Sequence, residues 1–117
     1  MKDILHRFIG ILRIELEDLE EDINDLLELC QKRKNHDEIT TYVYLENKSL
    51  LLNEIAGIKS LINSLGDLDT GRFPCQEVMF QEIDRLIRSR TRDCAFPEAV
   101  YGLVKRRLDK VIQFLKP

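Results

Sequence analysis

Residues 5–30, LHRFIGILRIELEDLEEDINDLLELC, decide the fold. Within them Leu5, Ile9, Leu12, Leu16, Leu19, Ile23, Leu26 and Cys30 recur at alternating spacings of four and three, the a/d repeat of a helix that lies lengthwise against another helix. Glu15, Glu17, Asp18, Glu20, Glu21, Asp22, Asp25 and Glu28 all fall off that seam, so one face is apolar and the remainder is solvated and acidic. The period predicts a first helix over about 3–34.

Lys32-Arg33-Lys34-Asn35-His36-Asp37 closes that helix, because cations favour the negative end of its dipole, and Asn35 or Asp37 is placed to cap the next one. The second helix, about 37–65, carries Leu51, Ile55, Ile58, Ile62 and Leu65 on one seam and is predicted to stop at Gly66, taken as a left-handed C-terminal cap. Its first half is broader: Ile39, Val43 and Leu50 follow a different line, with Tyr42, Tyr44 and Leu45 to either side. Gly66-Asp67-Leu68-Asp69-Thr70-Gly71 reads as a loop. Pro74 and Pro97 suit first helical positions and open helices over about 74–92, with Met79, Ile83 and Leu86, and about 97–116, with Tyr101, Val104, Leu108, Val111 and Leu115.

The chain of 117 residues, one domain's worth, has 44% hydrophobic residues, 33% charged residues, five Gly and three Pro, a composition that favours long helices over sandwiches, barrels and disorder. Four helices with short connections predict an all-α, antiparallel up-down-up-down bundle with coiled-coil-like packing. The first two helices reach roughly 45–50 Å and the last two roughly 28–30 Å, leaving about 15–20 Å of hairpin tip without cover. Net charge is −3, but residues 1–31 hold 9 acidic and 3 basic groups whereas residues 72–117 hold 6 and 10. Glu15, Glu20 and Asp22 should therefore face Lys105 and Arg107, fixing helices 1 and 4 as neighbours.

Little in the sequence points to catalysis, and the expectation is a non-enzymatic interaction module with no cofactor, no metal and no evident small-molecule substrate. Asp67-Leu68-Asp69-Thr70-Gly71 lacks the later ligands of a calcium loop. Cys30, Cys75 and Cys94 form no CxxC pair and are expected to be reduced thiols filling the core. No run is apolar enough to span a membrane and the N-terminus turns acidic where a signal peptide would need small residues, so a cytoplasmic location is expected.

The uncovered tip supplies the candidate partner-binding residues Leu27, Cys30, Ile39, Tyr42, Val43 and Leu45, with Leu26, Leu29 and Tyr44 beside them and a homodimer, or a protein partner, as the expected occupant. Arg85, Arg88, Arg90 and Arg92 form a second candidate, for anions, since guanidinium forks suit phosphate. The acidic pI of 5.4 and the lack of aromatic residues around 85–92 argue against nucleic acid.

Three motifs carry resemblances. Glu17 and Glu20 resemble the Glu-x-x-Glu half of the magnesium site in all-α nucleotide pyrophosphohydrolases, but Glu46 and Glu54 stand too far apart to supply the other half. His6, with Gly10 four residues on, is similar to a histidine phosphotransfer helix, although Ile9 replaces the lysine expected before the glycine; Leu61-Ile62-Asn63-Ser64-Leu65 is similar to the second helix of a kinase dimerisation hairpin. The implied role is phosphoryl acceptance at His6.

Overall fold

A computed structural model describes residues 2–115, with side chains from residue 4 to residue 115. Four helices follow in order, α1 (Lys2–Asn35), α2 (Thr41–Gly66), α3 (Gln76–Asp93) and α4 (Glu98–Leu115), with a short 3-10 turn at Thr70–Arg72. No strand occurs among the described residues. The protein is an all-α bundle in which α1 packs along α2 and α4, and α3 packs chiefly on α4. The predicted end of the last helix at 116 lies outside the described residues.

The seams of α1 and α2 meet as their periods require. Leu5, Leu12, Leu16, Leu19 and Ile23 are buried on α1, and Ile55, Ile58, Ile62 and Leu65 on α2. The predicted α1 seam leaves the core past Ile23, where Leu26 is exposed and Cys30 half-buried, and one step is displaced at its start, where Phe8 is fully buried and Ile9 only half-buried. At this end α1 faces α2 and α4 together, so its apolar face is wider than a two-helix seam and includes Phe8, whose ring lies 4.7 Å from that of Phe80 on α3. The same breadth puts Ile87 rather than Leu86 in the core on α3, and Val100 rather than Tyr101 on α4. None of the cysteines is core filler. Cys30 and Cys75 are half-buried and Cys94 is exposed, the last two standing at the two ends of α3.

Helix ends depart from the sequence reading. The hairpin loop is longer than expected because Thr40, not Asn35 or Asp37, caps α2: its hydroxyl accepts the Val43 N–H at 3.1 Å. Asp37 instead adopts φ 57°, and the Glu38 and Asp37 N–H groups donate to the Arg33 and Lys34 carbonyls, a doubled C-terminal closure. Phe96 and Ala95 close α3 on Thr91 and Arg92 in the same way, with Ala95 at φ 53°. Gly66 is not left-handed; α2 ends through Asp67 at φ −89°. Both prolines precede the helices they were expected to begin, since α3 starts at Gln76 and α4 at Glu98.

Where α4 crosses α2, Gly57 permits the contact. A Cβ there would stand 3.1 Å from the Phe96 ring and 3.2 Å from both Val100 methyls, whereas one on Gly102 would meet nothing within 4 Å. Helix propensity alone favours alanine over glycine by about 1 kcal/mol. Gly102→Ala should therefore stabilise the protein by about 0.5–1 kcal/mol, and Gly57→Ala should fail to gain this or should destabilise, as urea denaturation midpoints would show.

Candidate functional site

Packing of the short helices stops part-way along the hairpin. The last buried residue on α1 is Ile23, and on α2 the first buried residue after Tyr44 is Glu54. Beyond them α1 and α2 continue as two helices alone, for about 18 Å on the α1 side.

Which apolar side chains this leaves open follows from helical phase. On α1, Glu15, Asp18 and Asp22 receive Arg107 of α4 at 2.7, 2.7 and 2.9 Å, so that line of residues marks the face toward α4. Continuing it by four and three residues gives Leu26 and Leu29, 50% and 42% exposed. On α2 the corresponding line is Val43, Asn47, Leu50, Glu54, Gly57, Leu61 and Ser64. Gly57 touches α4, and Ser64 accepts a hydrogen bond from Arg90 of α3. Its tip members Val43 and Leu50 are 39% and 48% exposed. Leu26, Leu29, Val43 and Leu50 thus form one apolar strip on the hairpin side that α3 and α4 cover lower down.

The six partner-binding candidates from the sequence do not form one patch. Val43 belongs to the strip, while Leu27, Cys30 and Ile39 are half-buried. Tyr42 and Leu45 lie about 100° and 160° around the helix from Val43 in the same direction, both of them exposed on a face away from the strip. Tyr44, expected at the uncovered tip beside these candidates, is buried: its hydroxyl donates to Gln31 of α1, and Lys34 and Lys48 stand 5.0 and 5.8 Å from its ring. Leu26 and Leu29 stand beside the six candidates in the sequence, and Leu50 stands outside them, because its phase matters only once the position of α4 is known.

Charge pairing ties α4 to α1 as expected, with Arg107 on Glu15 and Asp22, while Glu20 and Lys105 pair elsewhere. Arg107 bridges Glu15, Asp18 and Asp22, and Lys110 reaches Glu15 at 2.6 Å. Glu20 pairs instead with Lys59 of α2, and Lys105 with Asp84 and Asp109. Lys110, then Arg107, holds the Glu15 carboxyl below its ordinary range. Glu54, at the foot of the strip, is the opposite case: burial alone pushes its pKa up.

The arginine cluster divides. Arg85, Arg88 and Arg92 line one cleft of about 660 Å³ with Arg72 from the 3-10 turn, whereas Arg90 turns away to the Ser64 hydroxyl. Aromatic residues, absent from the local sequence, arrive from elsewhere: Arg88 donates to the Tyr101 hydroxyl at 2.8 Å, which in turn donates to Asp84 at 2.9 Å.

Several other candidates have local roles. Asp69 accepts the Gly71 N–H and so caps the 3-10 turn. Glu17 pairs with Arg13 one turn away, and Glu20 with Lys59 as above. His6 stands exposed on α1. Among the described residues no group of three or more His, Cys, Asp or Glu is arranged to hold a metal ion, and no helix is long and apolar enough to cross a membrane. Comparison with known proteins gives no match: no family model fits the chain, and no curated protein and no solved structure is similar to it.

The two shifted carboxylates act on stability with opposite signs. Glu15, with its lowered pKa, contributes stability above the ordinary carboxylate range and loses it as pH falls through its own value. Glu54, with its raised pKa, favours the fold below that range and disfavours it as pH rises through its own value. Arg107→Gln should cost about 1–3 kcal/mol at neutral pH and progressively less in acid. Glu54→Gln should be more stable than the parent at neutral pH and indistinguishable from it below about pH 4. Urea titrations at several pH values measure both.

Proposed function

We propose that the chain is a non-enzymatic protein-interaction module that pairs with a second copy of itself through the hairpin tip. The observation that carries this reading is the strip Leu26, Leu29, Val43 and Leu50, each between 39% and 50% exposed, on the one side of the hairpin where helices pack elsewhere. Two such strips laid face to face and antiparallel complete a local four-helix arrangement with twofold symmetry.

Charge favours that partner. The last turn of α1 is basic, Lys32, Arg33 and Lys34, and the residues before the strip include Asp22 and Asp25. Antiparallel overlap brings the basic turn of each copy toward the acidic residues of the other, whereas parallel overlap sets like against like. The area sets the strength. A tip about 18 Å long and two helices wide offers a footprint of roughly 350 Å² per copy, at or below the small end of specific interfaces. The pairing is accordingly weak and concentration-dependent.

Sedimentation velocity between micromolar and millimolar protein tests this. The parent should shift from monomer toward dimer with concentration. Leu26→Ser with Leu50→Ser should remain monomeric while keeping its helical circular dichroism, and Leu45→Ala, on another face, should behave as the parent. A parent that stays monomeric throughout, or a dimer indifferent to the serine pair, would refute self-pairing at this strip.

A further inference from the structure

The cleft between α3 and the 3-10 turn adjoins a second cleft of different chemistry. The first, about 660 Å³, is lined by Arg72, Arg85, Arg88 and Arg92 over Leu68 and Leu86. The second, about 500 Å³, is lined by Ala95, Phe96 and Tyr101, with Thr91 and Glu98 at its polar edge. Arg88 and Arg92 belong to both, so they form the ridge between a cationic basin and an aromatic one.

We propose that these joined clefts bind a nucleoside polyphosphate, phosphates in the arginine cleft and base against Phe96 and Tyr101. Three observations carry this beyond a surplus of surface arginine. First, the guanidinium groups come from two separate elements and converge, with Glu82 the one carboxylate among the cleft-lining residues and already paired to Arg85 at 2.8 Å. Guanidinium forks pair bidentately with phosphate oxygens, and several around one concavity suit a chain of phosphates better than a single carboxylate. Second, Arg88 is held in place: it donates to the Tyr101 hydroxyl, its guanidinium carbon lies 5.1 Å from the ring centroid, and Asp84 backs it at 3.6 Å. Less side-chain freedom is then lost on binding. Third, the aromatic cleft begins at the same arginines, so a molecule joining an anionic tail to a flat, largely apolar body spans both without bending away from the protein. Glu98, on the first turn of α4, is an acceptor suited to the exocyclic amine of an adenine or cytosine. A polynucleotide fits less well, because the acidic face of α1 repels a long polyanion while a single nucleotide stays within the clefts.

Isothermal titration with ATP, inorganic tripolyphosphate and adenosine, each into the full chain, separates the two halves of the site. ATP should bind with an affinity that falls as salt is added, tripolyphosphate should bind at least about tenfold more weakly, and adenosine should bind more weakly still. Arg85→Gln with Arg92→Gln, both highly exposed and so without consequence for folding, should weaken ATP by about tenfold or more. Phe96→Leu, which leaves the Tyr101 hydroxyl on Arg88, should lower ATP affinity while leaving that of tripolyphosphate unchanged. No ATP binding at millimolar concentration, or ATP binding untouched by the arginine pair, would overturn the proposal. Tripolyphosphate binding as tightly as ATP would overturn it as well, by removing the base from the site.

Discussion

The constraint on which the rest of the structure depends is a mismatch of length. α1 and α2 have 34 and 26 residues, whereas α3 and α4 have 18 each. An antiparallel bundle can bury an apolar stripe only where all its helices overlap, so the long pair must emerge from the short one. The molecule measures 55 × 28 × 18 Å, elongated along the hairpin. Among the described residues, every buried aliphatic side chain of α1 and α2 lies at the four-helix end, and at the far end only Tyr44 is buried. α4 is positioned along α1 by the Arg107 and Lys110 ion pairs and across α2 by the close approach at Gly57, and those contacts determine where the cover stops.

Much of this was legible in the chain because helix packing writes itself as period. The four-and-three spacing of Leu12, Leu16, Leu19 and Ile23 places them in the core, and the uneven helix lengths alone predict an uncovered tip. What period cannot supply is the direction from which a third helix approaches. Ile9 and Phe8 are adjacent in sequence and both apolar, and which of them enters the core depends on α4 and α3 lying beside α2. For the same reason the binding candidates lie scattered around the tip. Tyr42, Val43 and Leu45 look alike as an apolar run, yet about 100° per residue turns Val43 away from the face that Tyr42 and Leu45 share. Tyr44 reads as part of the uncovered tip because its hydroxyl partner, Gln31, is contributed by the other helix.

The arginine cluster shows the limit from the other side. Its local sequence supplies charge and nothing to stack on, so nucleotide chemistry has no foothold there. The fold then removes Arg90 to Ser64, adds Arg72 from a loop and brings Tyr101 from 13 residues beyond Arg88. Sites assembled from separate elements leave no spacing to read, whereas a seam built along one helix does.

Tip-to-tip pairing is tested most directly by the longest dimension in solution. Small-angle X-ray scattering over a concentration series reads it without altering a residue. Antiparallel overlap of the tips places the two bundles at opposite ends and predicts a maximum dimension of about 90 Å at high concentration, falling toward that of the single molecule, 55 Å, on dilution. A particle that keeps the monomer's length at every concentration, or a dimer whose length stays near it because the copies lie side by side, would contradict the account.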